Sequence, residues 1–157
     1  MTTPLVSDVA HAGLTVADLD DAIVMWCSEL GFTLERSFTL DESITTGTTG
    51  MQNATICGAS VTLGRQRIEL LQYDVPEPHP VTVTPAHSGT IHIALTVTDL
   101  DRVLAVCRRH GWHAVGTPHL MSSGPRAGTR IIYLEGAEGG FLELIAPPST
   151  STTVQSG

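Results

Sequence analysis

Four ionisable residues stand where apolar strands would be expected to exclude them. His11 and His92 open two runs rich in β-branched residues, and Glu69 and Glu143 lie inside Ile68-Glu69-Leu70-Leu71 and Leu142-Glu143-Leu144-Ile145. Burying an unpaired carboxylate among Ile and Leu costs on the order of several kcal/mol. Each Glu therefore faces solvent from the outer side of its strand or meets a cation. Taken singly, each His reads as an ordinary half-exposed side chain. Their surroundings tie them together: residues 11–20 (HAGLTVADLD) and 92–101 (HIALTVTDLD) share seven of ten positions. The two His hold the first place of this repeat, and the two Glu hold matching places in the closing strands. A pseudo-twofold axis relating two such copies would bring one His and one Glu from each half to a common centre. Two neutral imidazoles and two carboxylates form a donor set for a divalent cation, whose charge offsets the acids. A duplication that carries no site is the alternative.

The elements that must position these residues follow from the same repeat. Asp18 and Asp99 are N-cap residues, because a short carboxylate accepts from the open N–H groups of a first helical turn. Leu19, Ala22, Ile23, Trp26 and Leu30 follow at helical spacing to Gly31, and Leu100, Val103, Leu104 and Cys107 follow to Gly111. The spacing predicts strands at 32–40, 52–63 and 67–73 in the first half, and at 112–116, 129–134 and 141–145 in the second. Each half is then βαβββ, and the fold class is α+β, with two tandem modules. The modules span 1–73 and 91–147. A Pro-rich linker (74–90) joins them, and a disordered Ser/Thr-rich tail (148–157) follows. Residues 43–50, rich in Thr and Gly, read as a flexible loop.

Composition narrows the classes of function. The chain has 157 residues, a formal charge of −8, and eight cationic side chains that are all Arg. With no Lys there is no lysine Schiff base, and the acidic balance argues against a nucleic-acid surface. No stretch approaches the roughly 20 apolar residues of a membrane span. Cys27, Cys57 and Cys107, widely spaced in apolar runs, read as reduced core residues, and with no visible secretory signal a cytoplasmic location is expected.

From Val9 to Pro147 the chain resembles the vicinal oxygen chelate superfamily, the glyoxalase/bleomycin-resistance/dioxygenase group. The resemblance rests on His11 in HAGLTVADLD, Glu69 in RIELLQY, His92 in IHIALTVTDLD and Glu143 in FLELIAP. It implies that these four residues ligate a divalent ion (Ni, Co, Mn, Zn or Fe) on which adjacent oxygens of a substrate chelate. It also implies that the two βαβββ modules form paired curved sheets around a central cavity, in a homodimer acting on a small molecule, anionic or a thioester. Thr15 stands where glyoxalase I carries a glutathione-binding Arg. Asn53 aligns with a second acid of methylmalonyl-CoA epimerases; as an amide it can bind substrate but not act as a base. Arg126 and Arg130, in SSGPRAGTR, fall where the epimerases place a substrate-contacting loop; a solvated hairpin is the alternative.

The expected chemistry is metal-assisted proton transfer, an isomerisation, epimerisation or lyase reaction through an enediolate or enolate. Glu143 or Glu69 would be the base, and Tyr133 would donate to a chelated oxygen. A non-haem iron dioxygenase acting on a catechol-like or secondary-metabolite substrate is the second reading, and a non-catalytic antibiotic-binding protein the third.

Overall fold

The computed structural model describes residues 5–75, 82–137 and 139–148. Residues 76–81 of the expected Pro-rich linker and 149–157 of the expected Ser/Thr-rich tail lie outside these ranges. The chain divides into two compact units, Met1–Pro80 and Val81–Gly157. Each unit carries an open sheet in an α+β arrangement.

In the first unit the strands β1 (Ala12–Thr15), β2 (Thr33–Leu40), β3 (Thr55–Leu63) and β4 (Gln66–Asp74) lie in the order β1-β4-β3-β2. β1 runs parallel to β4, and the β2–β3 and β3–β4 pairs are antiparallel. Helix α1 (Leu19–Ile23) starts where Asp18 accepts from the Asp21 N–H at 2.9 Å. It continues as a π-helical segment, Val24–Glu29, in which the Leu30 N–H donates to the Met25 carbonyl. Gly31 ends it at φ 85°, a conformation that costs glycine little. Met25 and Trp26 are each 1% exposed and pack with Phe32, Val61, Ile68 and Leu70 as the core of this unit. Trp26 and Phe32 meet edge to face, 4.9 Å between centroids.

The second unit repeats the plan. β5 (Ile93–Thr96), β6 (Trp112–Ala114), β8 (Arg130–Gly136) and β9 (Phe141–Ala146) lie in the order β5-β9-β8-β6, and the short β7 (His119–Leu120) also pairs with β8. Helix α3 (Leu100–Arg109) is capped by Asp99, which accepts from the Arg102 N–H at 3.0 Å. Leu100, Val106 and Cys107 of α3 are buried, as are Ile132, Leu134, Leu142 and Leu144 of the sheet. The counterpart of β2 is thus split in two, and the strand expected over 112–116 ends at Ala114.

Two expectations are corrected. Residues 43–50 are not a loop: Glu42–Thr49 forms helix α2, capped by Asp41, whose carboxylate accepts from the Ile44 N–H at 2.9 Å. The hydroxyls of Thr48 and Thr49 donate back to carbonyls one turn earlier, and Thr45 is buried, so this Thr-rich sequence satisfies its polar groups within the helix. Of the three cysteines only Cys107 is buried. Cys27 is half-buried, and Cys57 is exposed.

Candidate metal centre

His11 directly precedes β1, and the parallel register sets Gly13 beside Glu69. Strand alternation places His11 and Gly13 on one face, so the imidazole reaches across to the carboxylate. The His11 Nε2 lies 3.3 Å from the Glu69 Oε2, and Glu69 is 12% exposed. The other oxygen, Oε1, accepts from the Arg36 Nη2 at 3.1 Å and from the Ser60 Oγ at 3.3 Å. Ser60 is fully buried directly opposite Glu69, and Arg36 is opposite Ser60. That last pairing depends on a bulge at Glu35, where the register slips between Leu34 and Arg36. Glu35 itself turns to Arg67, which donates twice to it at 2.8 Å and, with its charge, holds the Glu35 carboxyl below the usual range.

The second unit builds the same pair at the same register. His92 directly precedes β5, Ala94 is beside Glu143, and the His92 Nε2 lies 3.2 Å from the Glu143 Oε2. Here the residue opposite the Glu is Tyr133. Its hydroxyl is 3.3 Å from the His92 Nε2, with the two rings 5.0 Å apart. Burial and the nearby Glu143 charge raise the Tyr133 hydroxyl above its usual pKa, so it is a proton donor at neutral pH. Tyr133 also borders a shallow groove of about 360 Å³, mostly apolar, lined by Pro85, Val115, Gly116, Thr117, Ile131 and Ile132.

The donor sets suit a divalent ion. Nitrogen and oxygen ligands about 2.0–2.2 Å from a metal, at the angles of tetrahedral or octahedral coordination, stand about 3 Å apart. The separations of 3.3 and 3.2 Å fit two neighbouring coordination positions. Among the described residues no cluster of three or more His, Cys, Asp or Glu stands ready for an ion; each unit by itself holds one His–Glu pair.

Of the residues expected from sequence, Tyr133 is brought to a His–Glu pair. Asn53 is exposed, two residues before β3, at a left-handed φ of 54°. Arg130 pairs with Asp101 at 3.1 Å, and Arg126 is exposed in the turn before β8. Sequence reading missed Arg36 and Ser60. Ser60 could have been found by aligning the third strands of the two halves, which sets it against Tyr133. Arg36 could not, because the bulge changes its phase.

Residues 10–133 match the family model of the glyoxalase/bleomycin resistance protein/dioxygenase superfamily, and the chain belongs to that superfamily. Among curated proteins it is similar to a 2-epi-5-epi-valiolone epimerase of an Actinomyces species, 30% identical over 146 residues that cover 90% of this chain and 80% of the relative. Among solved structures it is similar to a glyoxalase family protein from Bacillus cereus (TM-score 0.76, 23% identity, 95% of this chain and 99% of the other). The fosfomycin resistance protein FosX from Mesorhizobium loti matches at TM-score 0.54 and 16% identity, over 94% and 96%. The structural likenesses show the fold. Among the described residues no helix is long and apolar enough to cross a membrane.

Proposed function

We propose that the chain is a divalent-metal-dependent enzyme that moves a proton at a carbon beside a carbonyl, giving epimerisation or isomerisation of a small oxygen-chelating substrate. The observation that carries this reading is the duplicated His–Glu pair, built at one register in both units. His11, Glu69, His92 and Glu143 would hold the ion together, within one chain or across a homodimer. A bound divalent ion supplies Lewis-acid polarisation of the substrate oxygens.

The residues themselves divide the remaining work. Glu69 has both oxygens engaged, by His11 on one side and by Arg36 and Ser60 on the other. Among the described residues Glu143 is engaged through Oε2 alone, so it is the carboxylate able to swing and accept the proton from carbon. Tyr133 donates its hydroxyl hydrogen toward the oxygen on which charge develops. Return of the proton to the opposite face of the same carbon gives the epimer, and return to the neighbouring carbon gives the isomer. The likeness to an epimerase supports the first outcome. Arg126, exposed in its turn, remains the contact for an anionic group, with Asn53 a further substrate contact.

The test uses metal-loaded protein in deuterated water under nitrogen. The probes are small α-hydroxy ketones and branched thioesters, with 2-epi-5-epi-valiolone among them. Deuterium entering at the carbon beside the carbonyl is expected. Turnover that begins only when air is admitted overturns the proposal in favour of a dioxygenase.

A further inference from the structure

We propose that Arg36 is a positioning residue for Glu69, fixing which carboxylate oxygen faces the metal; this rests on the metal-centre reading above. The guanidinium contacts Oε1 at 3.1 Å, whereas His11 faces Oε2, so Arg36 does not stand between the two donors. With Ser60 also on Oε1, the carboxylate presents one oxygen in one direction. Glu143, whose partner strand offers Tyr133 instead, has no such clamp among the described residues.

The clamp is built by the backbone. The bulge at Glu35 brings Arg36 opposite Ser60. The guanidinium carbon then rests 5.0 Å above the centre of the Phe38 ring, and that ring lies over Gly58, where a Cβ would strike it. Arg36 is 61% exposed, so burial does not explain its place. Two effects oppose each other. A nearby cation repels the metal, but at this exposure water screens the repulsion. Holding a ligand in its binding geometry is the larger effect, since losing such an outer hydrogen bond weakens metal binding by about 10–100-fold.

The experiment titrates nickel(II) into metal-free protein in competition with a chromophoric chelator. The wild type is compared with Arg36→Gln, Arg36→Lys and Ser60→Ala, and each variant is also melted thermally. Arg36→Gln should bind nickel about ten-fold more weakly, the lower end of the range because Ser60 remains. Arg36→Lys, which can still donate to Oε1, should recover part of the loss. Melting temperatures of the two Arg36 variants should stay within about 2 °C of the wild type, as for exposed substitutions. A merely structural role would shift the melts and leave the affinities alone. Arg36→Gln binding nickel as tightly as the wild type, or more tightly, overturns the inference by itself. A wild type that binds no nickel overturns the metal-centre reading, and this inference with it.

Discussion

Gly58→Ala tests the packing beneath the first His–Glu pair. Gly58 pairs with Phe38 across β2 and β3, and the ring occupies the space where a side chain at position 58 would go. A Cβ built there falls 2.5 Å from Phe38 Cε2 and 3.0 Å from Cε1. Carbon atoms in contact sit about 3.5–4.0 Å apart, so the ring must retreat by about 1 Å. Gly58 lies in β3, paired on one side with β2 and on the other with β4, so its backbone cannot yield instead. Overpacking of this kind costs about 1–3 kcal/mol, which lowers the melting temperature by roughly 3–10 °C in a chain of this size. Scanning calorimetry of a double-mutant cycle isolates the cause. With Phe38→Ala in the background the clash is gone. Gly58→Ala should then be neutral or stabilising by about 0.5–1 kcal/mol, because alanine loses less backbone entropy than glycine on folding. A Gly58→Ala protein that melts at or above the wild type with Phe38 in place would refute this account.

Three further outcomes are expected. Elemental analysis should find about one divalent ion for each two His–Glu pairs and its loss after His92→Ala, while Glu143→Gln should retain the ion and turn over about 10²–10⁴-fold more slowly, as on losing a general base. Arg67 holds the Glu35 pKa down in the folded chain, so the pair's stabilisation is present above the unfolded value of about 4.5 and fades as pH falls through the lower folded value; Arg67→Met should therefore lower the melting temperature at pH 7, and by progressively less as the pH is taken below about 4.5. Iodoacetamide at neutral pH should label exposed Cys57 first, Cys27 slowly because burial raises its thiol pKa, and buried Cys107 only on unfolding, as peptide mapping would show.

The repeated decapeptide made both opening strands, led by His11 and His92, and both capped helices legible, because capping residues and apolar spacing are local signals. Features that depend on cross-strand phase were not. The bulge at Glu35 turns Arg36 toward Glu69, and no property of Leu34-Glu35-Arg36 as a string announces an extra residue in the ladder. The Thr-rich stretch 43–50 looked like a loop because Thr and Gly are poor helix formers. The Asp41 cap and threonine bonds to carbonyls one turn back outweigh that propensity. Cys57 was misplaced for a related reason: in β3 its neighbours Ile56 and Gly58 are buried while its own side chain is not, and apolar surroundings along the chain do not tell which face is covered.

In each unit the first and last strands lie side by side, so every His–Glu pair joins the beginning of its unit to the end. Such contacts close nearly the longest loop available in each unit, at a greater entropic cost than the antiparallel hairpins between them. The donor pair is in that sense a clasp. Until β1 has docked on β4, or β5 on β9, the imidazole and the carboxylate belong to distant stretches of chain with little joint affinity for a cation. On the proposed metal-centre reading, competence to bind would be acquired in two instalments, one as each unit completes its own sheet.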